Sequence, residues 1–416
     1  MSSGQIMLAA ALVVGLATAC QVIAPRLRIP ALILLLPVGF VLGAIAPQLR
    51  FDTTLGAAFP VIVDLVVAVV LFQGGLDLTT TALKSADHQI VRRLVWVGGA
   101  MTFVGAAVAG HVIIGMDWPV AFMLGAIVIV SGPTVVTPIL DFTGLRGRVR
   151  GILQWEGTML DPLGALVAVV VFQVINASGA ESFPQAVISF LTGIAVGIVA
   201  AMVGVLLFVV GGKLVRGSEL MGTQVLLGSV VVTAGLANVV SEDTGLLAAL
   251  LMGLAAPRVA RRFGASMEGS RKFFGTIVSI GIGVLFISIS ALVPVPIVGA
   301  VLLPSVLMTV VLVVVLRPLV VLMGTARSTL TVRERTFIAC MDPRGIVAAA
   351  TASSVGAALV AAKFPGAGLL LPAAFIIVAL TVGLYGLTAV PVARLLKLSP
   401  GSASPATSGD SADEPH

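Results

Sequence analysis

From Ile6 almost to Lys397 the chain returns to apolar runs of about 20 residues, the length at which an α-helix spans the hydrocarbon core of a bilayer. In lipid the backbone polar groups must be bonded internally, so these runs read as membrane helices. Hydrophobic residues make up 58% of the chain and charged residues 10%, against roughly a quarter charged in a soluble domain. The expected fold is all-α and integral to the membrane. Thirteen spans are predicted, at 6–24, 31–47, 55–76, 94–115, 118–140, 152–175, 185–211, 220–240, 243–257, 273–292, 297–323, 336–361 and 367–393.

Charge placement tests that count, because Lys and Arg concentrate in cytoplasmic loops. With the N-terminus outside, 20 of the 24 basic residues fall on the inner side. Arg50 and Lys363 fall outside, and Arg317 and Arg344 fall within or at the edge of spans. The net charge of +6 therefore records topology, since the basic residues are scattered over short loops and form no nucleic-acid surface. Multi-pass insertion in a bacterial inner (plasma) membrane is expected, with a cytoplasmic C-terminus.

The first span is read as a retained helix. Its leading "MSSGQ" has no basic side chain, and the basic residues follow the apolar run, against the order of a cleaved signal despite "LATAC" around Cys20. Cys20 and Cys340 are isolated in apolar surroundings and indicate neither a disulfide framework nor a metal site. His88, His111 and His416 form no ligand cluster, and structural or solvated roles are expected for them. Residues 398–416, rich in Pro, Ser, Ala and Gly, are too poor in large apolar groups to fold alone and are expected to be a disordered cytoplasmic tail.

Two spans carry interruptions. The fifth contains Gly132 and Pro133 in "SGPTVVTPIL", and the twelfth contains Pro343 and Gly345 in "MDPRGIVAAA". Proline removes a backbone donor and pushes the residue before it out of helical geometry. Broken helices at membrane depth persist only where protein or a water-filled cavity satisfies the freed groups. The breaks lie seven spans apart, and an odd offset makes the segments run in opposite directions, the signature of an inverted repeat. Secondary transporters place their substrate site at such an interface, between half-helices whose ends carry opposite partial charges. The plainer alternative is the general frequency of Gly and Pro in membrane helices.

The stretch "LQWEGTMLDPLGALVAVVV" holds Glu156 and Asp161 within an apolar run. Intramembrane charge costs about 2.5 to 3.5 kcal/mol per residue on insertion scales, so each group needs a role. Five residues apart, the two carboxylates are rotated by about 140° on a helix and face different partners. Arg344 is the expected counter-ion of Glu156, a pair that would tie the two halves together. Asp161 then lacks a basic partner, and burial disfavours its bare ion, so it would hold either a proton or a small cation. That competition is sufficient for exchange. A single carboxylate of this kind predicts one proton per monovalent cation and no net current.

"LFQGGLDL" (71–78), "SGPTVVTPIL" (131–140), "WEGTMLDPLGA" (155–165), "EDTGLLAALLMGL" (242–254) and "PRGIVAAA" (343–350) follow one another in an order that resembles the monovalent cation:proton antiporters, specifically the NhaP-like bacterial branch related to animal sodium/proton exchangers. The similarity runs through about 390 residues. It implies a thirteen-helix inverted-repeat fold and a homodimer built through a scaffold domain. It also implies a core domain that carries the site by an elevator-like displacement. Core helices are expected at about 94–176 and 297–393, and scaffold helices at about 6–77 and 220–292. Asp161 matches the carboxylate that binds cation and proton. Glu156 and Arg344 match the family's structural ion pair, and 131–134 matches the first unwound crossing.

The chain departs from the resemblance at three positions. Leu160 stands where many relatives have Asn, Gly132 where many have Asp, and Gly157 where many have a hydroxyl. The remaining oxygen ligands are Asp161, the hydroxyls of Ser131, Thr134 and Thr158, freed carbonyls and water. The cation is left open among sodium, potassium and lithium. Asp342 either lines the cation path or, the preferred reading, pairs locally with Arg344 or caps the following half-helix. Asp64 either draws cations into an outer funnel or makes a polar subunit contact. The glycines of "LFQGGLDL", beside Gln73 and Asp77, are expected to serve close helix packing. Arg317 is expected to snorkel to the inner interface, and Glu242 and Asp243 to cap a helix start.

The function expected is secondary active exchange of sodium or potassium for protons, by a protein that is not an enzyme and needs no cofactor. The rivals are an uncoupled channel or proton leak through the same carboxylates, and a degenerate transporter acting as sensor or scaffold.

Overall fold

The structure is a computed structural model and describes residues 3–27, 29–47, 50–56, 58–78, 85–176, 182–215, 219–241, 244–262 and 267–398. Among these, ten helices are long and apolar enough to cross a membrane. Three shorter apolar helices, Leu32–Ile45, Trp118–Ile129 and Val347–Ala361, lie where the second, fifth and twelfth spans were expected. The predicted tail from 399 onward, with His416, and the pair Glu242 and Asp243 lie outside the described residues.

The chain opens with α1 (Ser3–Leu27), α2 (Leu32–Ile45), the short α3 (Phe51–Leu55) and α4 (Ala58–Leu78). The fourth span joins α5 (Ser85–Arg93) to α6 (Gly99–Ala109) through one π-helical turn and ends in another. The fifth is split into α7 (Trp118–Ile129) and α8 (Pro133–Thr143). Then come α9 (Arg148–Asn176), which carries Glu156 and Asp161, and α10 (Ser182–Leu214). They are followed by α11 (Glu219–Val240), α12 (Thr244–Arg262) and α13 (Glu268–Ser290). The eleventh span runs as α14 (Val295–Val310), a π-helical stretch and α15 (Arg317–Gly324). The twelfth is split into α16 (Val332–Ala339) and α17 (Ile346–Ala361), and α18 (Leu370–Leu395) closes the bundle.

Each break has its cause in the sequence. Val130 and Gly132 take extended backbone, and Pro133 opens α8 at the position where its missing N–H costs nothing. Gly345, also extended, caps α17 directly after Pro343 and Arg344. The π-helical stretch Val311–Leu316 ends at Arg317–Pro318, where the widened turn accommodates a ring that clashes with an ordinary helical carbonyl.

Close approach of helices depends on glycine at particular points. A Cβ on Gly75 of α4 would stand 2.5 Å from the Leu250 carbonyl of α12, and Gly253 faces Gly75 from the other side. This is the packing role expected of the "LFQGGLDL" glycines. In the same segment the Gln73 amide donates to Asp77 at 3.0 Å. The outer surface is apolar, with Leu206, Val239, Leu303 and Leu322 exposed, as lipid contact requires. One end of the bundle is tied by basic side chains. Arg148 donates to Asp87 at 2.5 Å and to the Thr329 hydroxyl at 3.0 Å, while Arg93 donates to the Ala326 carbonyl at 2.7 Å.

Candidate functional site

The two helix breaks meet. The Ser131 hydroxyl donates to the Pro343 carbonyl at 3.2 Å, joining one interruption to the other. A Cβ on Gly345 would stand 2.9 Å from the Gly132 nitrogen and 3.5 Å from Oδ1 of Asp161. Asp161 thus lies where α8 and α17 begin, against the positive ends of both half-helices. It is fully buried, and neither carboxylate oxygen has a hydrogen-bond partner among the described residues. An acid in this setting has dipolar support for its charge but no neutralising group. A proton or a small cation fits that position.

The other charges lie at the opposite half-helix ends. Arg317 donates to Oε1 and Oε2 of Glu156 at 2.6 and 2.9 Å, a bidentate pair with both side chains buried. The same guanidinium donates to the carbonyls of Ile338 and Met341 at 3.2 and 2.9 Å, satisfying the open C-terminus of α16. Arg344 binds Asp342 at 2.5 Å and reaches the carbonyl of Ile129, the last residue of α7, at 3.4 Å. Its backbone N–H donates to the Thr381 hydroxyl of α18 at 3.2 Å. Cations therefore sit at two carbonyl ends and the free carboxylate at two N–H ends.

This corrects two expectations. The partner of Glu156 is Arg317, not Arg344, and Arg317 does not snorkel, being only 4% exposed. The reason is depth and direction. Arg317 lies two turns inside its span, and the widened turn before it aims the side chain toward α9. Arg344 instead lies beside Asp342 in the non-helical break between α16 and α17. Asp342 takes the local pairing, with its second oxygen 3.9 Å from Arg317. The sequence suggested an interfacial Arg317, although an Arg–Pro step inside an apolar run marks a buried charge. Tyr385, buried on α18 with no partner for its hydroxyl among the described residues, carried no signal at all.

The remaining predicted ligands divide. Thr158 is buried, and its hydroxyl donates to the Gln154 carbonyl of its own helix at 2.7 Å, leaving lone pairs to accept or coordinate. The Thr134 side chain lies outside the described residues. Two departures from the resemblance have a steric reason. A Cβ on Gly132 would stand 2.5 and 2.8 Å from the Asp161 oxygens, and one on Gly157 would stand 2.9 Å from the Ser131 carbonyl. Leu160 packs toward Gly99 of α6. Gly132→Ala is accordingly expected to displace the carboxylate, raising the half-saturating cation concentration by about tenfold and costing about 1 to 3 kcal/mol of stability. Cation titration of exchange and thermal unfolding check both.

A cavity of about 920 Å³ opens among residues of α4, α9, α17 and α18. Its polar lining includes Asp64, Asn238, Thr351 and Ser354, and its apolar lining includes Val67, Val169 and Val347. Asp161 is not part of that lining, so the protein closes over it on this side. Both histidines expected to be structural have local contacts. His111 stacks on Trp118 and bonds the Met116 carbonyl at 2.7 Å, and His88 meets Trp155 edge-on. Cys20 and Cys340 are free thiols.

A family model described as "Sodium/hydrogen exchanger, transmembrane" matches residues 8–395. The chain is 25% identical over 413 residues to a "Probable Na(+)/H(+) antiporter 2" of Methanocaldococcus jannaschii, covering 90% of this chain and 93% of that one. It is 26% identical over 235 residues to a "K(+)/H(+) antiporter NhaP2" of Shewanella oneidensis, covering 55% of this chain and 40% of that one. The solved structure of the sodium proton antiporter MjNhaP1 from Methanocaldococcus jannaschii superposes with a TM-score of 0.78 at 22% identity, over 94% of this chain and 99% of that one.

Proposed function

The chain belongs to the transmembrane sodium/hydrogen exchanger family, a family of antiporters, and from that premise we propose that it exchanges one sodium or potassium ion for one proton through Asp161. The observation that carries this reading is the fully buried carboxylate at the meeting of both helix breaks, with neither oxygen bonded among the described residues. Either cargo makes the site neutral. The bare carboxylate keeps its charge, and at about 3 kcal/mol for carrying it through a low-dielectric core, empty crossing is suppressed on the order of a hundredfold. Each productive crossing then carries a cation or a proton, and one gradient drives the other. No net charge moves.

Ser131, Thr158 and carbonyls freed at the breaks complete the coordination sphere, with Thr134 at the start of α8. Glu156 and Arg317 hold α9 against α15 and α16 so that Asp161 moves with both crossings as one body. The helices at about 94–176 and 297–393 form the moving core and those at about 6–77 and 220–292 the scaffold, through which two copies pair. The cavity lined in part by Asp64 leads from the outer aqueous phase, the C-terminus being cytoplasmic in a bacterial inner membrane.

Purified protein in vesicles carrying an imposed pH gradient tests the proposal. Adding sodium, lithium or potassium in turn should collapse the gradient with at least one of them, at a rate insensitive to membrane voltage. Collapse without added cation would mean a leak, and no response to any of the three would reject exchange.

A further inference from the structure

We infer that Asp342 acts as a tether that holds Arg344 away from Asp161, and that this tether sets how readily the site accepts a cation. The inference rests on the exchange proposed above and adds a positioning residue to it.

Four buried charges form a balanced group. Glu156 faces Arg317, Arg317 lies 3.9 Å from Asp342, and Asp342 binds Arg344 at 2.5 Å. Asp161 stands outside this group without a partner among the described residues. Yet Arg344 is its near neighbour along the chain. A Cβ on the next residue, Gly345, would be 3.5 Å from Oδ1 of Asp161, and consecutive Cα atoms stand about 3.8 Å apart, so the Cα of Arg344 is at most about 9 Å from that oxygen. An extended arginine side chain covers that gap. Its guanidinium is turned elsewhere, one Nη on Asp342 and the other 3.4 Å from the Ile129 carbonyl, while its Nε has no partner among the described residues. The Ile129 contact is long and neutral, so the carboxylate of Asp342 is the principal hold on this cation.

Asp342 is itself a poor cation ligand. One oxygen is engaged by Arg344 and the other faces Arg317, so an arriving cation would meet two guanidinium groups. Without Asp342 the group would carry one excess positive charge, and Asp161 is a nearby carboxylate without a partner among the described residues. Arg344 would then neutralise Asp161 in place of cargo, as an internal competitor.

Asp342→Asn is expected to raise the half-saturating cation concentration at least about tenfold, the low end of what a unit charge a few ångströms away contributes in a partly screened interior. The maximal rate should stay within about threefold. Asp342→Glu should behave like the parent, and the double variant Asp342→Asn/Arg344→Gln should recover most of the lost affinity, since the competitor is gone. Cation-dependent thermal stabilisation of purified protein reads the same affinities without transport. An unchanged affinity in Asp342→Asn, or a loss that Arg344→Gln does not reverse in either assay, would overturn the tether. Those outcomes leave the exchange reading intact if the parent exchanges and Asp161→Asn does not.

Discussion

Replacing Arg317 with methionine is expected to destabilise the protein by about 3 to 5 kcal/mol, because it strands Glu156 as a buried, uncompensated charge. The loss is comparable to that of a large core truncation. Arg317 also satisfies the Ile338 and Met341 carbonyls at the end of α16, so its removal opens the second crossing as well as breaking the pair. The double variant Glu156→Gln/Arg317→Met should recover a large share of the stability, since no charge is then left alone. Arg344→Met, by contrast, should leave the Glu156 pair untouched. Thermal unfolding of the purified variants separates these cases: Glu156→Gln should rescue Arg317→Met and not Arg344→Met, which strands Asp342 instead, and rescue at Arg344 without rescue at Arg317 would contradict the pairing.

Replacing Asp161 with asparagine should abolish cation-driven proton movement while the protein still folds. Asparagine keeps the shape but cannot carry a proton or bring a negative charge to a cation, so neither half of the cycle remains. The expected rate loss is at least about a hundredfold, corresponding to the several kcal/mol at stake when a buried charge goes uncompensated. Stability should be equal to or above that of the parent, because the substitution removes a buried charge that has no partner among the described residues.

The parts of this account that were legible in the sequence are those governed by local rules. Thirteen apolar runs announce helices by length alone, and Gly132–Pro133 and Pro343–Gly345 announce their breaks because proline and glycine act on the backbone where they stand. Asp161 stands out because an acid in an apolar run is costly anywhere. Partner choice was not legible in the same way. Two arginines, at 317 and 344, were available to Glu156, and spacing along the chain does not say which guanidinium reaches α9. The answer depends on the widened turn before Arg317 and on the helix break that places Asp342 beside Arg344. Likewise the missing side chains at Gly132 and Gly157 read as lost ligands in the sequence. In three dimensions they leave the space that Asp161 and the Ser131 carbonyl occupy.

The central claim, that a proton and a cation take turns on one carboxylate, is tested most directly by measuring the half-saturating cation concentration as a function of pH. Competition for a single group predicts that on the acid side this concentration rises by about tenfold per pH unit, while the rate at saturating cation is unchanged. A half-saturating concentration that does not move with pH, in protein whose exchange still requires Asp161, would contradict it.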